Sequence, residues 1–281
     1  MLAVVTGASR GLGRLCAFEL AVHGADLLLV GRDQVALADV AREIRAKCPT
    51  RRVATLDSDL SDPDAPQYVC EAADRLGPAD ILVNSAAVQG PIGPAWEVPW
   101  GEFEETLRLD LLVPIALCRA VIPSMKAKGR GWIINISGGG ATSPRPMFTA
   151  YAAAKTALVR FTETLAIETV GYGIRVNAVS PGAFASGMTI AVHAAAENAG
   201  VAEAATAQQL LDGGDTVNAE KAAQLVVYLA LGAGRNVTGK LISAVWDRWD
   251  RLHLHPEAVA HADVFTLRRI LPQERNLSLD E

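Results

Sequence analysis

At 281 residues, half of them hydrophobic, the chain can bury a large core as one α/β domain or two small ones. A formal net charge of −5 without a basic stripe excludes nucleic acid as the main partner, and no apolar run reaches the length of a membrane span. Cys16, Cys48, Cys70 and Cys118 are scattered, with no Cys-x-x-Cys pair or companion histidines, so they read as reduced thiols of a cytoplasmic protein and not as disulfides or a zinc site.

The first predicted strand, Leu2–Val5, begins so early that no leader sequence is expected. It runs into Thr6-Gly7-Ala8-Ser9-Arg10-Gly11-Leu12-Gly13 and then into an apolar-periodic stretch from Leu15 to Val22. A helix start exposes unpaired N–H groups and partial positive charge, so a pyrophosphate fits there. Glycine serves where the backbone turns sharply or must approach a ligand closely. The spacing is Gly-x-x-x-Gly-x-Gly; standing alone it reads equally as a tight loop, but strand before and helix after favour a nucleotide site.

Further strands are predicted at Asp26–Val30, Arg52–Leu56, Ile81–Asn84, Trp132–Ser137, Ile174–Val179 and Lys240–Val245, with helices near 12–23, 33–47, 64–76, 102–128, 149–170 and 219–231. Val/Ile/Leu-rich strands separated by helices predict a mainly parallel seven-stranded sheet covered on both faces, in one doubly wound α/β domain. Right-handed crossovers place ligands at the carboxyl ends of its strands. Residues 183–215, rich in alanine and glycine after Pro181-Gly182, read as a mobile lid or as an ordinary surface helix pair. The segment 246–281 is a C-terminal extension whose Trp249, Phe265, Leu267 and Ile270 are too apolar for simple disorder, so it packs on its own domain or on a neighbouring subunit.

Tyr151-Ala-Ala-Ala-Lys155 lies near the start of a predicted helix. Positions i and i+4 share a helical face, so phenol and ammonium can meet. Tyrosine titrates near pH 10, and a nearby cation is expected to lower that value toward useful acid–base chemistry.

These motifs, over roughly residues 1–245, together resemble the short-chain dehydrogenase/reductase family. The resemblance implies a single Rossmann-type domain and hydride transfer between a nicotinamide and a carbonyl or carbinol carbon. Gly7, Ser9, Arg10, Gly11, Leu12 and Gly13 fall on the family's cofactor glycine turn. Asp59-Leu60 matches the pair that contacts adenine, and Asn84-Ser85-Ala86-Ala87 matches the segment that supports the central strand and borders the cofactor. Tyr151 matches the general acid/base and Lys155 the lysine that holds the nicotinamide ribose; Pro181, Gly182 and Ser186 match the turn near the carboxamide.

Three positions depart from the family pattern. Thirteen residues before Tyr151, where a catalytic serine is usual, stands Gly138, so a substrate group, water, Ser137, Thr142 or Ser143 must supply that hydrogen bond. Asp110 stands where the family has an asparagine that shapes a proton-relay water; it either pairs with Lys155 or serves as a polar substitute. Ala87 replaces a glycine and adjusts packing. The last strand also differs, with Trp246 and Trp249 beside charged residues as pocket walls or as a plug for the tail.

Strand two ends Leu29-Val30-Gly31-Arg32-Asp33. An acid there selects NAD through the ribose 2′-hydroxyl, whereas arginine suits the 2′-phosphate of NADP. Gly31 takes the acid's place, Arg32 follows, and Arg10 adds a second cation on the same side; Asp33 fits as the N-cap of the next helix. NADP(H) is therefore favoured over NAD(H). The expected function is that of an NADP(H)-dependent oxidoreductase acting on a small carbonyl or alcohol, with Tyr151, Lys155 and Asp110 as catalytic residues. A nucleotide-binding sensor or structural subunit, and a non-redox lyase or isomerase, are the alternatives. The resemblance also implies a homodimer or homotetramer joined through the helices at 102–128 and 149–170.

Overall fold

Seven apolar runs pair into one sheet in the computed structural model, which describes residues 1–213, 216–261 and 263–277. The strands are β1 (Leu2–Thr6), β2 (Asp26–Gly31), β3 (Val53–Asp57), β4 (Ile81–Asn84), β5 (Gly131–Ile136), β6 (Ile174–Ser180) and β7 (Leu241–Ser243). Their order is β3-β2-β1-β4-β5-β6-β7, and every pairing among the described residues is parallel, so the sheet expected to be mainly parallel is wholly so. The order reverses between β1 and β4, which opens the crevice at the strand ends where such sheets bind ligands.

Period-two alternation sorts the strand residues onto two faces. Ala3, Val5, Leu27, Leu29, Val83 and Ile134 pack beneath α1 (Gly11–Val22), α2 (Gln34–Lys47) and α10 (Val217–Ala230). Val4, Leu28, Val30, Leu82, Ile133 and Val176 pack against α3 (Ala65–Asp74), α5 (Val113–Lys128) and α6 (Thr149–Thr169). With both faces covered, a strand needs apolar residues at every position, which is why these runs are continuous.

The stretch expected as one helix over 102–128 has three parts: α4 (Trp100–Leu107), a π-helical turn (Arg108–Leu112) and α5. Pro114 has no N–H to return to the carbonyl of Asp110, and Val113 donates instead to Arg108 five residues back. The widened turn carries Asp110 into the interior. After β6 come α7 (Gly187–Ala194), α8 (Ala196–Ala199) and α9 (Val201–Gly213), whose Val192, Ala199 and Ala207 close over Phe148. The expected lid thus has its own small core; positions 214 and 215 of it lie outside the described residues.

The C-terminal extension, whose positions 262 and 278–281 lie outside the described residues, packs on its own domain. Leu252 and Val259, on a 3-10 turn and on α11 (Pro256–Ala260), join the core beside β7, as do Trp249 and Phe265. The carbonyl of Phe265 accepts from the Leu241 N–H at 2.8 Å, on the outer edge of the sheet.

Candidate active site

The β1–α1 turn is held by main chain against main chain. Gly7 has φ +65°, and a Cβ on it would lie 2.9 Å from Ala86 Cα; a Cβ on Gly13 would lie 2.3 Å from the Gly7 carbonyl oxygen. No side chain fits at Gly13, so the start of α1 is drawn onto the strand end. Gly7, Ser9, Arg10, Gly11, Leu12 and Gly13 line a cleft of about 1240 Å³. Arg32, Asp59 and Leu60 line the end beside β2 and β3. Asp33 caps α2 by accepting from the Ala36 N–H at 2.9 Å, as expected, and Arg32 and Asp33 both line the β2 end of the cleft. Asp59 accepts from the N–H and hydroxyl of Ser61 at 3.0 and 2.8 Å, bonds that hold its carboxyl below the usual range, with Arg32 adding to the effect. The Arg10 guanidinium lies against Gly187 at the start of α7, on the lid side of the cleft.

At the other end, Tyr151 and Lys155 sit one turn apart in the first turns of α6, with the ammonium 5.5 Å from the phenol ring centroid. Lys155 Nζ donates to the Ile136 carbonyl at 3.2 Å and faces Asp110 Oδ2 at 3.4 Å, while Asp110 Oδ1 accepts from the Val88 N–H at 2.9 Å. All three side chains are buried, Asp110 completely. Of the two expectations for Asp110, the pairing with Lys155 is the one found. Burial pushes its carboxyl above the usual range, against the opposing pull of Lys155 and Val88. Tyr151 corrects an expectation: burial raises the phenol above its ordinary value and outweighs the downward pull of Lys155 and Arg145, and Asp110 adds to the rise.

Gly138 gives Tyr151 its place. A Cβ at position 138 would come 2.1 Å from the Tyr151 hydroxyl oxygen, so the phenol occupies the space a side chain there would take. Among the alternatives to a side chain at 138, Ser137 lines the cleft, is 1 % exposed and has a hydroxyl without a hydrogen-bond partner among the described residues. Thr142 and Ser143 are exposed and outside the cleft wall.

Ala86, Pro181, Gly182 and Ser186 line the cleft. The Ser186 hydroxyl caps α7 by accepting from the Thr189 N–H at 3.2 Å. Asn84 is a correction, because it stands behind the wall and not at the cofactor surface. Its amide donates to Asn135 Oδ1 at 2.8 Å, and Asn135 donates to Thr162 on α6, so this chain of amides ties β4 to β5 and to α6. The two tryptophans divide the roles expected for them. Trp246 stands exposed at the cleft mouth, whereas Trp249 is a plug, its ring tilted against Tyr228 and its indole N–H donating to the Ala244 carbonyl at 3.1 Å. Gln89, Arg145, Thr189 and Glu203 also line the cleft and carry no sequence motif that would have singled them out.

These residues fit a nicotinamide dinucleotide: a glycine cradle no Cβ could share, a helix start, a charged β2 end and a buried Tyr–Lys pair follow one another along a single cleft. A family model for short chain dehydrogenases matches residues 1–197. A short chain dehydrogenase of Pseudocercospora fijiensis is 35% identical over 190 residues, covering 66% of this chain and 60% of that protein, so the match spans less than two thirds of that relative. The short chain dehydrogenase/reductase astE of Aspergillus oryzae is 31% identical over 245 residues, 86% of this chain and 92% of that protein. A solved structure from Beutenbergia cavernae, described as an NAD(P)-dependent gluconate 5-dehydrogenase with NADP bound at low occupancy, superposes with a TM-score of 0.75 at 32% identity, over 86% of this chain and 94% of that one. Fold, cleft and sequence agree in making this chain a member of the short-chain dehydrogenase/reductase family of nicotinamide-dependent oxidoreductases.

Proposed function

We propose that the protein is an NADP(H)-dependent reductase or dehydrogenase of a small carbonyl or alcohol, with Tyr151 as its general acid/base. The observation that carries this reading is the buried Tyr151–Lys155–Asp110 row at the far end of the cleft that starts at α1. NADP(H), when bound, supplies or accepts the hydride at the substrate carbon. Gly7, Ser9, Gly11, Leu12 and Gly13 would hold its pyrophosphate, Asp59 and Leu60 its adenine, and Lys155 its nicotinamide ribose. Ala86, Pro181, Gly182 and Ser186 would border the nicotinamide.

In the reduction direction Tyr151 gives its hydroxyl proton to the substrate oxygen as that oxygen gains charge, and in oxidation it takes the proton back. Burial favours the protonated phenol, which suits the donor role at neutral pH. Lys155 balances the phenolate left behind, and Asp110, inclined by burial to hold a proton, stands at the ammonium as the group that can return a proton to the phenolate through Lys155. The unpartnered Ser137 hydroxyl supplies the hydrogen bond that position 138 cannot. Arg32 reads the 2′-phosphate from the β2 end, while Arg10, expected on the same side, stands against the start of α7.

Parallel titration with NADPH and NADH, followed by nicotinamide fluorescence, tests the cofactor assignment. Tight NADPH with weak NADH is expected, and binding of neither removes the redox reading. Cofactor turnover with carbonyl substrates then separates an oxidoreductase from a lyase, an isomerase or a binding protein.

A further inference from the structure

The substrate end of the cleft holds a cation outside the Tyr151–Lys155–Asp110 row. Arg145, in the loop between β5 and α6, lays its guanidinium 3.9 Å from the Phe148 ring centroid and 5.9 Å from that of Tyr151. Its Nη1 lies 3.8 Å from where a Cβ of Gly139 would stand, beside the bare Gly138. Nε and Nη2 each donate at 2.8 Å to one oxygen of Glu203 on α9.

A guanidinium presents five N–H groups in two forks. Glu203 takes the side fork and fixes the plane of the group; the end fork, made by Nη1 and the remaining N–H of Nη2, has no protein partner among the described residues. The cationic fork, at the wall of the cleft beside Tyr151, calls for an acceptor that carries negative charge.

We propose that Arg145 binds a carboxylate of the substrate, so that the reacting carbonyl or alcohol belongs to an oxo or hydroxy acid. This rests on the reading of the cleft as that of a nicotinamide oxidoreductase. Glu203 is a positioning residue: it keeps the guanidinium paired and aimed in the absence of substrate, and the substrate carboxylate adds on the opposite fork.

The test uses the full chain with NADPH and a panel of 2-, 3- and 4-oxo acids, each beside its methyl ester. NADPH binding is measured first, because its failure sinks the parent reading, whereas NADPH binding without acid preference sinks this one alone. Wild-type protein should turn over at least one acid with kcat/KM about tenfold or more above its ester, the loss expected when a charge-assisted bond goes unmade. The same acid should raise the melting temperature of the NADPH-loaded protein more than its ester does.

Arg145→Met should erase that preference by raising KM for the acid about tenfold more than KM for the ester, since the ester carries no negative charge to pair with the guanidinium. Glu203→Gln retains one acceptor oxygen for the guanidinium and removes a neighbouring negative charge, so KM for the acid should fall. Equal losses for acid and ester in both variants would make Arg145 a lid fastener and nothing more. Absence of acid-specific turnover and stabilisation across the panel would also overturn the proposal.

Discussion

At one end of the cleft, Gly13 presses onto the Gly7 carbonyl within one turn, and Gly7 presses onto the main chain of Ala86 beyond β4. At the other, Tyr151, Lys155, Asp110, Arg145 and Glu203 converge from a helix, a π-helical turn, a loop and the lid, with Arg145 and Glu203 alone separated by 58 positions. The first end owes its shape to the absence of side chains, which permits close approach. The second owes its chemistry to charged side chains taken out of water and paired. A fault at the first end should therefore act on cofactor binding and fold, and a fault at the second on turnover.

The sharpest way to break that contrast is Tyr151→Phe. It should leave NADPH affinity within about twofold and cost turnover about a thousandfold, the scale of a lost general acid; retained turnover in a steady-state assay would remove Tyr151 from its role. Gly13→Ala works from the opposite end. Its methyl would stand 2.3 Å from the Gly7 carbonyl oxygen, so thermal unfolding should show a loss of about 3 kcal/mol, at the high end for overpacking, together with weaker binding of both nicotinamide cofactors.

Arg32→Ala sharpens the comparison within the cofactor end. NADPH affinity should fall about thirtyfold, in line with a charge-assisted bond to a phosphate, while NADH affinity stays put; matched losses in the two titrations would mean that Arg32 does not read the 2′-phosphate. Gly138→Ser should lower kcat about tenfold and not raise it, because the new side chain pushes the Tyr151 hydroxyl out of the place it occupies. An increase in kcat would show that Tyr151 yields without loss. The smallest effect concerns pH. The carboxyl of Glu203 is held below its ordinary value of 4.5 by Arg145, so its contribution is complete above that value and is lost as pH falls through the lower folded one. Amide exchange in α9 should accelerate over that acid range ahead of exchange in α1.

The fold and the glycine turn of β1–α1 were legible because they rest on local rules. Continuous Val/Leu/Ile strands imply a sheet covered on both faces, and a glycine turn before a helix implies a phosphate cradle. Asp33 was readable as a cap for the same reason, since capping is decided within four residues. The spacing of Tyr151 and Lys155 on one helical face was equally local, but the direction of the phenol's titration was not. That direction depends on how deeply the fold buries the ring, and burial is a property of the whole assembly of elements. Asn84 was misplaced because its segment borders the cleft while its side chain turns inward to Asn135. Arg145, Gln89 and Glu203 stayed hidden because nothing at their own positions shows which distant residue each will meet.

The clasp of the tail on β7 has a consequence for how copies of this chain can meet. Phe265 already occupies the Leu241 N–H, the carbonyls of His261 and Val264 hold the Lys240 ammonium, and Glu163 takes the Leu267 N–H. The open rim of the sheet, which would otherwise template a strand from a second molecule, is thus sealed from within. A chain cut after Val245 would trade that seal for adhesiveness. Sedimentation at rising concentration should then find it growing into larger species where the intact chain does not merge sheet to sheet across this rim.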